Sequence, residues 1–390
     1  MLTAILSHRR DRALILPVIG AQLVVGTSLF LIPLLIETLR VHAGVSARVA
    51  GLLLSMELGI SALTTVCLSV SRHNHSARRW AVCGALLTVV STALTLVSPA
   101  LPLLFVTRLL AGVGAGIVGA EATKVLARGV DRERVIAIVT ISSIVNAAFW
   151  LAVLPWWIDR FGYRAPYGCL LFICSLGTYL LMRLPSRSRP AAVKPEIPNS
   201  PFPLTALLAI AGVFLTQLGQ GAFWSLQEIY GSSAGFNSHA IGIVLSAATL
   251  LLLLGAVGAA WAGDRFGHFI PLFTLLALNA ISIALVSSVA VPWMYLAANA
   301  LQSVTNLSSV IYQLALAASL DRQGRAVAIG TALVTLGNGI GPGVAAILGG
   351  ALGAPRVGVF VLALNMVAMG LYWLVMLRLV QEPRLSASLP

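Results

Sequence analysis

Twelve apolar stretches, each long enough to cross a bilayer, run the length of this chain, and no other feature narrows its fold as far. A transmembrane α-helix needs about 20 consecutive apolar residues to cross about 30 Å of hydrocarbon. In the first half the stretches are Ala13–Ile36, Ser46–Val70, Trp80–Val97, Leu101–Leu126, Val135–Trp157 and Tyr167–Leu184. In the second half they are Leu204–Ser225, Ala240–Ala262, Phe269–Val291, Pro292–Ala318, Ala326–Gly349 and Val357–Leu379. Charge is scarce in proportion: 9% of the residues carry one, against about 25% in soluble domains. A surface so poor in charge requires lipid as its solvent. The expected fold class is an all-α membrane protein of twelve transmembrane helices.

The segment from Pro185 to Pro203 is different in kind. Its prolines and charges suit neither a span nor a packed core, so it reads as an exposed joint. It divides the chain into a six-helix half over residues 1–184, a linker over 185–203 and a second six-helix half over 204–390. The halves echo one another. At an offset of 191 residues Gly51 matches Gly242, Ser55 matches Ser246 and Arg134 matches Arg325. Two halves repeated in the same orientation are an arrangement expected of a rocking transporter.

The formal charge of +13 raises nucleic acid as a partner, but the basic residues sit in short clusters between spans, never along one helix face. They read as topology signals. With the N-terminus inside, 19 of the 25 Lys and Arg residues fall on the inner side. Both termini are therefore expected in the cytoplasm, in a bacterial-type inner membrane. The first apolar run is too long for the core of a signal peptide and is expected to stay as a span. Cys67, Cys83, Cys169 and Cys174 lie in apolar runs and read as small core residues.

Three local patterns carry a family resemblance. The loop after the eighth stretch reads Gly263-Asp264-Arg265-Phe266-Gly267-His268. The fourth stretch contains Arg108-Leu109-Leu110-Ala111-Gly112-Val113-Gly114, and the sixth is preceded by Gly162-Tyr163-Arg164. These resemble the Asp-Arg-x-Gly-Arg loop, the Arg-x-x-x-Gly-x-Gly pattern and the Gly-Trp-Arg joint of the major facilitator superfamily. The chain departs from that family where residues 72–79 lack the acid and the glycine of the loop. Its Gly-x-x-x-Gly-Pro run also stands in the eleventh stretch, at Gly337–Pro342, rather than in the fifth. The resemblance implies a fold of two six-helix halves whose first, fourth, seventh and tenth spans line a cavity. It also implies that the loop of Asp264, Arg265 and Gly267 ties span ends together as a gate latch.

An ionisable side chain in hydrocarbon costs about 3 kcal/mol or more unless it is paired or wetted. Well inside the expected spans the charges are Glu57, Arg108, Glu121 and Lys124. Arg108 is expected to face the cavity and hold an anionic or polar group, with Glu57 carrying a coupling proton. The competing reading is a buried ion pair that holds spans together. Glu121 and Lys124, three residues apart, read as a structural pair, while Glu121 and Glu228 stay on the roster of proton carriers. The tenth span lines Asn299, Gln302, Asn306, Ser309 and Gln313 along one side. The seventh offers Gln217, Gln220, Trp224 and Gln227, with Glu228 at its outer mouth, and the first offers Gln22. Amides can bond helix to helix, but five on one face exceeds what packing needs. The expected solute contacts are therefore Gln22, Arg108, Gln217, Gln220, Trp224, Asn299, Gln302, Asn306 and Gln313.

The expected function is secondary active transport of a small organic solute by alternating access, coupled to protons. One alternative is an efflux antiporter for drugs or metabolites. Another, from a different class, is a ligand-binding sensor or scaffold, which would need a soluble relay domain that these short tails do not offer. The chain contains no Gly-x-x-x-x-Gly-Lys-Ser/Thr loop and no clustered catalytic set, so neither nucleotide-driven pumping nor an enzyme is expected. No cofactor is expected, and no metal: His73 and His75, near Cys67, lack a fourth ligand. The expected partners are a small solute and the lipid bilayer, with the chain acting as a monomer.

Overall fold

In lipid every backbone N–H and C=O must find its partner within the protein, which leaves a helix as the default for long apolar runs. The computed structural model describes residues 9–70, 76–97, 100–126, 132–184, 202–263, 265–288, 291–321 and 323–381, and all regular structure among them is helical. The first seven helices are α1 (Arg9–Phe30), α2 (Ile32–His42), α3 (Ala47–Val70), α4 (Ala77–Val97), α5 (Leu101–Leu126), α6 (Arg132–Phe161) and α7 (Arg164–Leu181). The second seven are α8 (Leu204–Ser225), α9 (Gln227–Ser233), α10 (Ser238–Ala262), α11 (Phe269–Ser288), α12 (Pro292–Leu320), α13 (Arg325–Leu352) and α14 (Ala354–Gln381). The linker falls almost wholly outside the described residues, as do His73, His75 and Asp264.

The expected spans reappear as helices with ends displaced by a few residues, and α5 and α8 match at both ends. The first span is the exception. It was expected as one run from Ala13 to Ile36, but α1 stops at Phe30, Leu31 breaks the helix (φ −86°, ψ 2°), and α2 continues to His42. Pro33 is the physical reason. It sits at the start of α2, has no N–H to give the carbonyl four residues back, and fits best in a first helical turn. The seventh span ends at Leu226 (φ −100°, ψ 5°), beyond which the chain continues as the seven-residue α9.

Among the described residues, eleven helices are long and apolar enough to cross a membrane. The 29-residue α12, which holds the tenth expected span, is not among them, because amides and hydroxyls replace apolar side chains along one face. By contacts the chain divides into two compact units, residues 1–197 and 198–390. Each unit repeats one packing pattern. In the first, α3 and α4 pack on α5 while α1 packs on α6 and α7; in the second, α10 and α11 pack on α12 while α8 packs on α13 and α14. Glycine permits the closest of these approaches. A Cβ at Gly116 of α5 would lie 2.6 Å from the Ser61 carbonyl of α3, and one at Gly112 would strike the Glu57 carbonyl.

Between α12 and α13, Asp321 organises the turn. Its carboxylate accepts from the Ala326 N–H (3.0 Å) and the Gln323 N–H (3.4 Å) and pairs with Arg325 (3.4 Å). Arg325 in turn lies over the Phe202 ring, 5.4 Å from its centroid.

Candidate functional site

Within the first unit the two charges singled out from the sequence meet. Arg108 of α5 donates from Nη1 to Glu57 Oε2 of α3 (3.1 Å) and from Nη2 to Thr95 Oγ1 of α4 (2.7 Å). Its guanidinium also lies 5.1 Å from the centroid of the Tyr167 ring of α7. The group is enclosed: Arg108 is 1% exposed and Glu57 5%. Four helices thus converge on one cation. Thr95 extends the set, since its hydroxyl lies 2.9 Å from that of Thr107 and its carbonyl accepts from the Tyr163 hydroxyl. Two polar atoms in this enclosure, Arg108 Nε and the Tyr167 hydroxyl, have no hydrogen-bond partner.

The other first-half candidates lie apart from this group. Glu121 accepts from Lys124 Nζ at 2.9 Å, one turn along α5. Gln22 of α1 is half-buried and folds over Gly26 of its own helix.

In the second unit the amides of α8 and α12 face one another. Gln302 Nε2 donates to Gln220 Oε1 (2.5 Å), and the Thr216 hydroxyl donates to Gln313 Oε1 (3.1 Å). Gln217 is buried beside them on α8, and Trp224 and Asn306 are half-buried. Nearer the N-terminal end of α12, the Tyr295 hydroxyl reaches the Gln227 carbonyl of α9 (3.2 Å), and Asn299 Nδ2 donates to the Tyr295 carbonyl one turn back (2.9 Å). Glu228, next to Gln227, is buried as well. Several amide atoms remain unmatched: both of Gln227, the Oδ1 of Asn299 and the Nε2 of Gln313. These three side chains are 1% exposed or less. An unmatched buried polar group costs about 1–3 kcal/mol, and such groups cluster where water, an ion or a ligand supplies the missing bond.

At the opposite end of α10, the glycines of the candidate latch adopt positive φ, +46° at Gly263 and +65° at Gly267. The Gly263 carbonyl accepts from the Tyr312 hydroxyl of α12 (3.0 Å), and the Arg265 guanidinium lies 5.2 Å from the Trp261 ring.

A family model described as Major Facilitator Superfamily matches residues 18–211 and again 209–389, once for each half. The chain belongs to that superfamily. A crystal structure of the human organic anion transporter MFSD10 (TETRAN) has a similar fold, with a TM-score of 0.68 at 16% identity over 94% of this chain and 100% of that one. No curated protein matches the chain.

As a member of the superfamily the chain is a multi-pass membrane transporter of twelve spans in two pseudo-repeats. The residues that reading the sequence did not single out are those completing each polar set: Thr95, Thr107 and Tyr167 around Arg108, and Thr216 and Tyr295 around the amides. Tyr163 stood in a recognised pattern, Gly162-Tyr163-Arg164. A lone threonine in an apolar run, such as Thr95, carries no comparable signal.

Proposed function

We propose that this superfamily member is a secondary active transporter that moves a small polar organic solute by alternating access, with Glu57 as the site of proton coupling. The observation that carries this reading is the set of unmatched amide atoms of Gln227, Asn299 and Gln313 inside the second unit. They present both donors and acceptors, so they suit a solute with several hydrogen-bonding groups rather than a simple hydrocarbon.

The Arg108–Glu57 pair supports the proton-coupled part of this reading. While Glu57 is ionised it satisfies Arg108. A proton taken up on the Glu57 carboxylate cancels that attraction, so the packing of α3, α4, α5 and α7 around Arg108 depends on whether Glu57 carries it. Glu121 and Glu228 are secondary candidates for the same role. The concentration of Lys and Arg in alternate loops supports an inner membrane with both termini in the cytoplasm.

The test has two steps. A thermal-shift screen of small polar and aromatic solutes on purified protein should yield a stabilising ligand whose effect weakens in Gln227→Leu and Asn299→Leu. In proteoliposomes, Glu57→Gln should still exchange that labelled solute across the membrane yet fail to accumulate it when a pH gradient is imposed. Gradient-driven accumulation in Glu57→Gln equal to wild type would end the coupling argument. Undiminished stabilisation in both amide variants would end the argument for the site.

A further inference from the structure

Helices α10 and α11 both pack on α12 and leave an open groove of about 320 Å³ between them. Leu254 and Gly258 of α10 form one wall, Ile270 and Leu275 of α11 the other, and Ser308 and Tyr312 of α12 lie at the floor. The groove is open beside Gly258 of α10, where an added Cβ would meet nothing within 4 Å. Its floor offers an occupant little hydrogen bonding. The Ser308 hydroxyl donates to the Gly255 carbonyl (2.8 Å) and that of Tyr312 to the Gly263 carbonyl (3.0 Å). The walls open outward, with Leu254 59% and Ile270 70% exposed. An occupant must therefore be apolar along the groove.

One end is different. Phe266 lines the groove where α10 turns toward α11, and the preceding residue, Arg265, is exposed with its guanidinium over the Trp261 ring. Tryptophan at a span end marks the depth of lipid headgroups, and a stacked guanidinium there is a ready partner for a phosphate. We infer that the groove holds one anionic phospholipid, an acyl chain lying between α10 and α11 and the phosphate on Arg265. The charge at the mouth and the apolar walls together select this occupant, which the surrounding bilayer supplies. The inference needs only the membrane setting and stands apart from the solute site.

The experiment is native mass spectrometry of the purified full chain after exposure to phosphatidylglycerol or phosphatidylcholine. Wild type should retain one phosphatidylglycerol, with phosphatidylcholine held roughly tenfold more weakly. Gly258→Leu, which fills the groove, and Arg265→Gln, which removes the phosphate partner, should each lose the retained lipid. Gly370→Leu adds the same side chain at an equally open position of α14 and should retain it, which separates loss of the groove from general damage. Equal retention of the two lipids, retention of phosphatidylglycerol unchanged in both groove variants, or a second copy of the chain in place of lipid would each overturn the assignment.

Discussion

Removing the carboxylate of Glu57 leaves the Arg108 guanidinium enclosed with the Thr95 hydroxyl and the Tyr167 ring as its remaining partners among the described residues. Breaking a buried ion pair from one side costs about 3–5 kcal/mol, because an uncompensated charge stays behind. At the size of one half, each kcal/mol lowers Tm by about 2–4 °C, so Glu57→Leu should melt roughly 6–20 °C below wild type. The double variant Glu57→Leu, Arg108→Met should recover most of that loss. It removes both charges together, and Thr95 still has the Ser91 carbonyl at 2.9 Å as an acceptor. The assay is thermal unfolding in detergent followed by tryptophan fluorescence for wild type, both single variants and the double. A double variant that melts at or below Glu57→Leu would refute the reasoning, since the cost would then not arise from a stranded charge.

Gly116→Val should lose about 1–3 kcal/mol through the contact with the Ser61 carbonyl, whereas Gly59→Val, at a position with nothing within 4 Å, should cost less; chemical unfolding in detergent compares the two. A double-mutant cycle on Gln220→Leu and Gln302→Leu should return a coupling of about 0.6 kcal/mol and no more than about 1.7, as for other polar contacts between membrane helices. At Asp321, burial pushes the carboxyl pKa up, but the Ala326 N–H, Arg325 and the Gln323 N–H pull harder and hold it below the usual carboxylate range. A lowered folded pKa means that its stabilisation is complete above the unfolded value of about 3.9 and disappears as pH falls through the folded one. Tm measured from about pH 6 to pH 3 should therefore fall less steeply on acidification in Asp321→Asn than in wild type.

The helices were legible because bilayer thickness sets a length, and an apolar run of that length has few other structures open to it. The Leu31 break was missed even though Pro33 stood in view, because apolarity continues through it unaltered and a count of apolar residues does not register a lost N–H. The Arg108 set was half legible. A charge in hydrocarbon announces a partner, but choosing Glu57, 51 positions away, required knowing that α3 and α5 meet through Gly112 and Gly116. The amide stripe of α12 was legible from its spacing. Which amides clasp α8 and which are left unmatched was not, because that depends on where Thr216 and Gln220 fall on the facing helix.

The polar face of α12 bears on how the protein is made. A segment that falls short of the apolarity of the other eleven spans gains less from entering lipid alone, so its partition during synthesis leans on companions already in place. Chain order provides one, since α8 precedes α12 and brings Gln220 and Thr216 with it. Truncated chains carrying α12 without α8 should then insert it inefficiently, as a glycosylation-tag insertion assay would read directly.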